Sequence, residues 1–139
     1  MMINKEDANI LIVDDIEDNR YTFERRLKRD GYTNIFTAEG GKTALEMSAV
    51  NKFDLILLDL MMPDMSGLEV LKHLKGDPMQ RSIPVIMVTA SDEVETAAEC
   101  IINGADDFIT KPFNGTLLKA RVGASLEKKR LREIQKKIT

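Results

Sequence analysis

The chain has 139 residues, 43% of them hydrophobic and 31% charged, and a formal net charge of −3 at pH 7. This length suits one domain with a single core, and the composition excludes a disordered chain. The longest apolar run falls far short of the roughly 18 residues of a membrane span, and no signal peptide is visible at the amino terminus, so we expect a cytoplasmic protein without membrane association.

The first part of the chain predicts two strands, each followed by a helix. The apolar residues 9–13 predict a strand that ends in two successive carboxylates, Asp14 and Asp15. The next helix is expected to begin near Asp18, because a short acidic side chain at the N-cap accepts a hydrogen bond from a free amide of the first turn. Residues 34–38 predict the second strand.

The segment around Asp59 is the most informative stretch of the sequence. Residues 55–58 form an unbroken apolar run, which is typical of a strand that is buried on both faces. Burial of an unpaired charge at the end of such a strand costs several kcal/mol, so Asp59 must meet solvent, a cation or a hydrogen-bond network. Residues 63–67 have turn chemistry and lead into a third helix.

Two more strands follow in the second half of the chain. The apolar run 85–88 ends at Thr89, and a helix with apolar residues at helical spacing is expected from about 92 to 103. Residues 107–110 predict a short fifth strand that ends at Lys111. A last helix runs from there toward the carboxyl terminus.

Five strands that alternate with five helices predict an α/β fold, with parallel strands joined by right-handed crossovers and helices on both faces of one sheet. Ligands of such sheets bind at the carboxyl ends of the strands. The polar residues at these ends are Asp14, Asp15, Asp59, Thr89 and Lys111.

This cluster has the chemistry of a metal-assisted phosphoryl site. Crowded carboxylates raise each other's pKa values unless a cation binds them, and an all-oxygen site without Cys or His suits Mg²⁺, with Mn²⁺ as a second choice. Aspartate can also act as a nucleophile toward phosphoryl groups. The metal, Lys111 and Thr89 would each neutralise or bind one phosphoryl oxygen.

These motifs resemble the receiver domain of two-component response regulators, of the chemotaxis-regulator type. The resemblance covers residues 9–125. It implies a flavodoxin-like (βα)5 three-layer sandwich with strand order 2-1-3-4-5 and a cis peptide bond at Lys111-Pro112. The matching motifs are Asp14-Asp15, Asp59 before Leu60-Met61-Met62-Pro63 with Gly67 following, Thr89-Ala90 and Lys111-Pro112.

The resemblance also implies residue roles. Asp59 would accept a phosphoryl group from a sensor histidine kinase or a histidine phosphotransfer protein, and Lys111 would pair with the phosphoryl oxygens. Asp15, Asp59 and the backbone carbonyl of Met61 would bind the metal ion, with Asp14 acting largely through water. Such a chain is a phosphoacceptor signalling domain that assists its own phosphorylation and dephosphorylation, and not a turnover enzyme.

By the same resemblance, Thr89 and Phe108 form the conformational switch. Thr89 would move to bind the phosphoryl group, and Phe108 would turn inward behind it. Many relatives have Tyr where this chain has Phe108, so packing must carry the signal here. Two simpler roles remain open: Thr89 as a helix cap and Phe108 as a core aromatic.

Residues 1–125 are expected to form the receiver domain, and residues 126–139 extend its last helix. Ala124, Leu131 and Ile138 recur every seven residues, so this extension is either a short coiled-coil seam or a solvated basic helix end. It is similar to linkers that join receivers to an output domain or effector, including nucleotide and diguanylate cyclases. A homodimer is a further arrangement. Direct nucleic-acid binding is not expected, because the basic extension has no interleaved aromatic residues and no helix-turn-helix is evident.

The main rival hypothesis is a Mg²⁺-dependent phosphatase with an aspartyl nucleophile. Such enzymes usually carry a second Asp, the general acid, two residues after the nucleophile, where this chain has Met61. A dinucleotide-binding protein is a third hypothesis, but no Gly-x-Gly-x-x-Gly motif follows the first strand.

Overall fold

The computed structural model describes residues 4–138 of the chain and the side chains up to Gln135. The strands are β1 (Asn9–Val13), β2 (Asn34–Ala38), β3 (Leu55–Asp59), β4 (Val85–Ala90) and β5 (Asp107–Lys111). The helices are α1 (Glu17–Arg29), α2 (Gly41–Val50), α3 (Gly67–Gly76), α4 (Val94–Ile102) and α5 (Gly115–Ile138).

The five strands form one parallel sheet in the order β2-β1-β3-β4-β5. All five residues of β3 are buried, as expected for a central strand that is covered on both faces. The predicted α/β, flavodoxin-like sandwich and its strand order are therefore confirmed.

The two faces of the sheet carry separate hydrophobic cores, because successive residues of a strand point to opposite faces. Leu11 and Val13 of β1 belong to the core under α2, α3 and α4. Ile10 and Ile12 belong to the core under α1 and α5, where Phe23 is one of the helical residues. None of the helices in the described part of the chain combines the length and the apolar character needed to cross a bilayer.

Helix α1 begins two residues earlier than an N-cap at Asp18 predicts. Asp18 lies in the first turn, and Ile16 occupies the N-cap without a side-chain capping bond. The prediction that Asp18 caps α1 is therefore wrong. The Asp14 carboxylate performs a related task, since its Oδ1 accepts a hydrogen bond from the Ile16 amide at 2.9 Å. Asp14 thus joins the end of β1 to the start of α1.

Helix α5 continues without a break from the receiver region into the extension. Asn114 caps it, since its Oδ1 accepts a hydrogen bond from the Leu117 amide at 3.0 Å. Ala124 and Leu131, two members of the predicted heptad series, are exposed, while the side chain of Ile138 lies outside the described residues. Neither the coiled-coil seam nor the boundary at residue 125 is tested by these observations.

Gly67, the first residue of α3, packs directly against the end of β3. Its amide donates a hydrogen bond to the Leu60 carbonyl at 2.7 Å, and a Cβ built on it would lie 2.3 Å from the Asp59 carbonyl oxygen. Because that neighbour is backbone, it cannot move aside without displacing β3. The close approach therefore requires glycine at this position.

We expect Gly67→Ala to lower the free energy of unfolding by about 2 kcal/mol, as overpacking of a core commonly does. Gly123→Ala is the matched control, because a Cβ at Gly123 in α5 would meet no atom within 4 Å. This control should gain up to about 1 kcal/mol from helix propensity. Urea denaturation measures both variants, and equal stabilities for the two would contradict the steric argument.

Candidate functional site

The candidate site lies at the carboxyl edge of the sheet, where four parallel strands end side by side. Register places Asp59 of β3 beside Val88, and Ala90 of β4 beside Lys111 of β5. The structure brings together four of the five polar residues that the sequence places at these strand ends, namely Asp14, Asp15, Asp59 and Lys111. Thr89, the fifth, lies at the same edge as the last residue but one of β4.

Three carboxylates converge at this edge. Asp14, Asp15 and Asp59 each offer one oxygen, and these oxygens all lie within 4.8 Å of one another. Asp14 and Asp59 are almost fully buried, whereas Asp15 is partly exposed. The cluster is therefore buried on the side of Asp14 and Asp59 and open to solvent on the side of Asp15.

Lys111 provides the positive charge of the cluster. Its Nζ lies 3.0 Å from Asp14 Oδ2 and 3.1 Å from Asp59 Oδ1. Burial acts to lower the pKa of Lys111, but its bonds to the two carboxylates outweigh burial and raise the pKa above its ordinary value. Lys111 thus remains an ammonium ion. The peptide bond that joins it to Pro112 is cis, as the resemblance implies.

Asp59 is held in an environment that opposes its ionisation. Burial, followed by the negative charge of Asp14, raises the pKa of Asp59 to about 6, although the bond to Lys111 and its charge act in the opposite direction. One ammonium ion is therefore too little to neutralise this cluster. A divalent cation would complete the compensation.

The predicted switch residues occupy different environments. Thr89 is buried, and its Oγ1 has no hydrogen-bond partner among the residues that the structure describes. An unsatisfied buried hydroxyl is unfavourable, so a hydrogen-bond partner for Thr89 Oγ1 would stabilise the structure. Phe108 is partly buried and packs against the core under α2, α3 and α4.

The loop between β3 and α3 carries Met61, whose side chain is 62% exposed. The role of its backbone carbonyl as a metal ligand stays a prediction. Ser66 closes the loop, because its hydroxyl accepts a hydrogen bond from the Glu69 amide at 3.2 Å and so caps α3. The end of the loop is therefore fixed to α3.

Sequence reasoning did not identify Asp64 as an anchor of this loop. Its two carboxylate oxygens accept hydrogen bonds from the amides of Gly41 and Lys42, at 3.2 and 3.1 Å, and so cap the start of α2. The N-cap residue of α2 is Gly40, which has no side chain to do so. The absence of a capping side chain at Gly40 was the available sequence signal that a cap must come from elsewhere in the chain.

The residues at this edge fit a Mg²⁺ ion. The three carboxylates supply hard oxygen ligands, and the partly exposed side of Asp15 leaves room for the waters that Mg²⁺ retains. The buried hydroxyl of Thr89 offers a donor to a phosphoryl oxygen beside such an ion. Charge and donor set both agree with a metal-assisted phosphoryl site.

Comparison with known proteins agrees with this geometry. The family model described as response regulator receiver domain matches residues 10–123. The chain belongs to this family. The matched residues begin in β1 and end in α5, so they include every strand of the receiver domain and all five candidate site residues.

Several characterised proteins contain a similar receiver domain. The response regulator PleD of Caulobacter vibrioides is 46% identical over 115 residues, which are 83% of this chain and 25% of PleD. A probable cyclic di-GMP phosphodiesterase of Vibrio cholerae is 41% identical over 127 residues, which are 91% of this chain and 28% of that protein. The chain therefore spans about a quarter of the length of these relatives.

Solved structures show the same fold. NtrX from Brucella abortus superposes with a TM-score of 0.87 at 30% identity, covering 95% of this chain and 29% of NtrX. The Vibrio cholerae chemotaxis protein CheY4 superposes with a TM-score of 0.78 at 30% identity, covering 85% of this chain and 98% of CheY4. A receiver domain can thus form nearly the whole of one protein and a minor part of another.

The raised pKa of Asp59 predicts a pH-dependent stability. Its folded pKa of about 6 lies above the value of about 3.9 in an unfolded chain, so ionisation destabilises the fold as the pH rises from about 4 to 6. Without metal, we expect the stability of Asp59→Asn relative to the unsubstituted receiver to rise by about 2 kcal/mol between pH 4 and pH 7. Urea denaturation with a chelator measures this difference, which should not depend on pH if Asp59 ionises normally.

Asp64 predicts the opposite pH dependence. Its hydrogen bonds to the Lys42 amide, and then to the Gly41 amide, lower its pKa, so its carboxylate stabilises the fold at neutral pH and loses this effect as the pH falls through the lowered value. Asp64→Ala should destabilise by about 1 kcal/mol through loss of the α2 cap. Asp64→Asn, which keeps an acceptor oxygen, is the control and should lose less. Denaturation at pH 7 compares them, and equal losses would contradict the capping role.

Proposed function

We propose that this receiver domain accepts a phosphoryl group on Asp59, in a Mg²⁺-dependent reaction, and changes conformation to control an output domain or partner. The observation that carries the proposal is the contact of the Lys111 ammonium with both Asp14 and Asp59 inside a three-carboxylate cluster. Such a cluster holds a nucleophile and a cation where a phosphoryl group would need both.

The metal ligands would be Asp15, Asp59 and the backbone carbonyl of Met61, with Asp14 acting largely through water. Mg²⁺ is the expected ion and Mn²⁺ is an alternative with similar ligand preferences. When bound, the ion would neutralise the charge of the carboxylates and of the phosphoryl oxygens. The proximity of the three carboxylates supports this assignment.

The protein's own groups would act as follows. A carboxylate oxygen of Asp59 attacks the phosphorus of a phosphohistidine, the new P–O bond forms as the P–N bond breaks, and the imidazole leaves with the bonding electrons. Lys111 binds a phosphoryl oxygen through its ammonium group. Thr89 donates its hydroxyl hydrogen to another phosphoryl oxygen and so obtains the hydrogen-bond partner that it lacks among the described residues.

This movement of Thr89 would be the first step of the switch. Thr89 lies on β4 and Phe108 on the neighbouring strand β5, and Phe108 is only partly buried. Space vacated by Thr89 would admit the Phe108 ring toward the core. Because a Phe ring has no hydroxyl, the change would reach partners through packing alone.

The phosphodonor would be a sensor histidine kinase or a histidine phosphotransfer protein in the cytoplasm. We assign residues 1–125 to the receiver domain and residues 126–139 to an extension that leads toward an output domain or effector. One relative is named a probable cyclic di-GMP phosphodiesterase, which supports an output connected with cyclic nucleotides, such as a diguanylate cyclase. A homodimer of receivers is an arrangement compatible with this role.

The proposal differs from a turnover phosphatase in one respect. Aspartyl phosphatases usually carry an acid two residues beyond the nucleophile, and this position is Met61, with an exposed apolar side chain. The acyl phosphate would therefore persist long enough to signal. The site would assist its own phosphorylation and dephosphorylation without releasing product from many substrate molecules.

Incubation with acetyl phosphate and Mg²⁺ tests the proposal directly. Intact-mass measurement should show one phosphoryl adduct, because the proposal assigns the nucleophile to Asp59 alone among the three carboxylates. Asp59→Asn and a chelator should each abolish the adduct. Asp64→Asn is the matched control, since it removes an equal charge from the neighbouring loop and should still be phosphorylated. Multiple turnover of phosphomonoesters would support the phosphatase instead.

A further inference from the structure

The edge of the sheet opposite the candidate site carries a repeated arrangement of two partly buried carboxylates. Asp54 precedes β3, and its Oδ2 accepts a hydrogen bond from the amide of Asn9, the first residue of β1, at 2.8 Å. Asp106 precedes β5, and its Oδ2 accepts one from the amide of Val85, the first residue of β4, at 3.0 Å. We call Asp54 and Asp106 the strand-start carboxylates.

Backbone hydrogen bonds make each of these contacts reciprocal. The Asp54 amide donates to the Asn9 carbonyl at 2.8 Å, and the Asp106 amide donates to the Val85 carbonyl at 2.9 Å. Each strand-start carboxylate therefore fixes the beginnings of two neighbouring strands, β1 with β3 and β4 with β5. These four strands are the ones that carry the candidate site at their other ends.

The second oxygen of each strand-start carboxylate binds a cation of α5. Lys129 Nζ lies 2.9 Å from Asp54 Oδ1, and Lys129 is 95% buried and also pairs with Glu133. Arg132 Nη2 lies 2.6 Å from Asp106 Oδ1, while its Nη1 donates to the Ser82 carbonyl at 3.1 Å. Residues 126–135, the docked segment, are thus attached to both strand pairs.

The docked segment can fit only a narrow range of positions of the two strand pairs. Lys129 and Arg132 are three residues apart, so the helix fixes their separation along its axis at about 4.5 Å. A shift of β4 and β5 relative to β1 and β3 changes the spacing of the two strand-start carboxylates. A stiff helix cannot keep its contacts with both strand-start carboxylates when their spacing changes, so one of the two ion pairs must weaken.

We propose that the docked segment senses phosphorylation: a phosphoryl group on Asp59 displaces β4 and β5 relative to β1 and β3 and thereby loosens the contacts of Lys129 and Arg132. This inference rests on the proposed function of Asp59. Thr89 and Lys111, which bind the phosphoryl oxygens in that function, lie on β4 and β5, while the phosphorylated residue lies on β3. The attraction of Thr89 and Lys111 to the phosphoryl group on Asp59 therefore acts between the β4–β5 pair and the β1–β3 pair.

Linkage makes this coupling reciprocal. If the phosphorylated state loosens the docked segment, then a segment that is already loose must favour the phosphorylated state by the same factor. The coupling would carry the signal to whatever follows α5, along the helix itself. Typical coupling between two sites corresponds to about a fivefold change or more in an equilibrium constant.

Amide hydrogen exchange with mass spectrometry tests the contacts first. The clasp variant, Lys129→Met with Arg132→Gln, removes both cations. The matched control, Lys128→Met with Arg130→Gln, removes two charges from the same helix, where Lys128 is exposed and Arg130 pairs with Glu127. Without phosphodonor, residues 126–135 of the clasp variant should exchange about fivefold faster than those of the control. Equal rates would overturn the inference.

A second variant guards against general destabilisation. Asp54→Asn with Asp106→Asn keeps an acceptor oxygen for the amides of Asn9 and Val85 but removes the charges that the two cations meet. It should loosen the docked segment while peptides of β1 and β4 keep their slow exchange. If the docked segment exchanges as slowly in this variant as in the unsubstituted protein, while the strand peptides also keep their slow exchange, the ion pairs do not hold the docked segment against the sheet.

Phosphorylation is then tested with acetyl phosphate and Mg²⁺ on the same samples, with Mg²⁺ alone as a reference. The docked segment of the unsubstituted protein and of the control should exchange about fivefold faster once the adduct forms, and the clasp variant should show no further change. An adduct with unchanged or slower exchange would overturn the inference alone. The absence of any adduct would overturn the proposed function.

The reciprocal effect is measured with beryllofluoride, a tetrahedral phosphoryl mimic that binds reversibly to a carboxylate. Calorimetric titration in the presence of Mg²⁺ should give about fivefold tighter binding to the clasp variant than to the control variant. Equal affinities would show that the docked segment is not coupled to Asp59, even if the segment itself is loosened.

Discussion

The contact of one ammonium group with two buried carboxylates is the interaction on which this structure depends. A parallel sheet brings the carboxyl ends of its strands to one edge, and there Lys111 of β5 reaches past β4 to Asp59 and Asp14. Lys111 offsets part of the repulsion between the acids, yet the pKa of Asp59 remains raised to about 6 by burial and by its negative neighbour Asp14. The negative charge that Lys111 leaves uncompensated explains why the site is suited to a divalent cation and to phosphoryl chemistry.

The two edges of the sheet use the same residue type for opposite purposes. At the amino edge, Asp54 and Asp106 each bind one strand amide and one cation of α5, so both carboxylate oxygens have partners. At the carboxyl edge, the acids share one lysine and Thr89 lacks a hydrogen-bond partner among the described residues. The satisfied contacts at the amino edge thus compensate for the unfavourable contacts at the carboxyl edge, as is common where function requires locally unfavourable contacts.

Sequence patterns predicted the elements better than their ends and contacts. Apolar runs predicted the strands, because a strand buried on both faces admits few polar residues. The cap at Asp18 was predicted wrongly, because a carboxylate at the end of β1, that of Asp14, already binds the first amide of the turn. Asp64 was missed for a similar reason: its partners at the start of α2 lie on another segment of the chain, which local patterns do not reveal.

The sequence by itself determined the alternation of strands and helices, the family and the set of polar residues at the strand ends. These features depend on periodicity and on motifs that are read within a few neighbouring positions. Only the tertiary structure decided how the charges are shared: that Lys111 bridges Asp14 and Asp59, and that Lys129 and Arg132 bind the sheet. Such pairings join residues far apart along the chain, and burial, which sets their strength, exists only after the chain has folded.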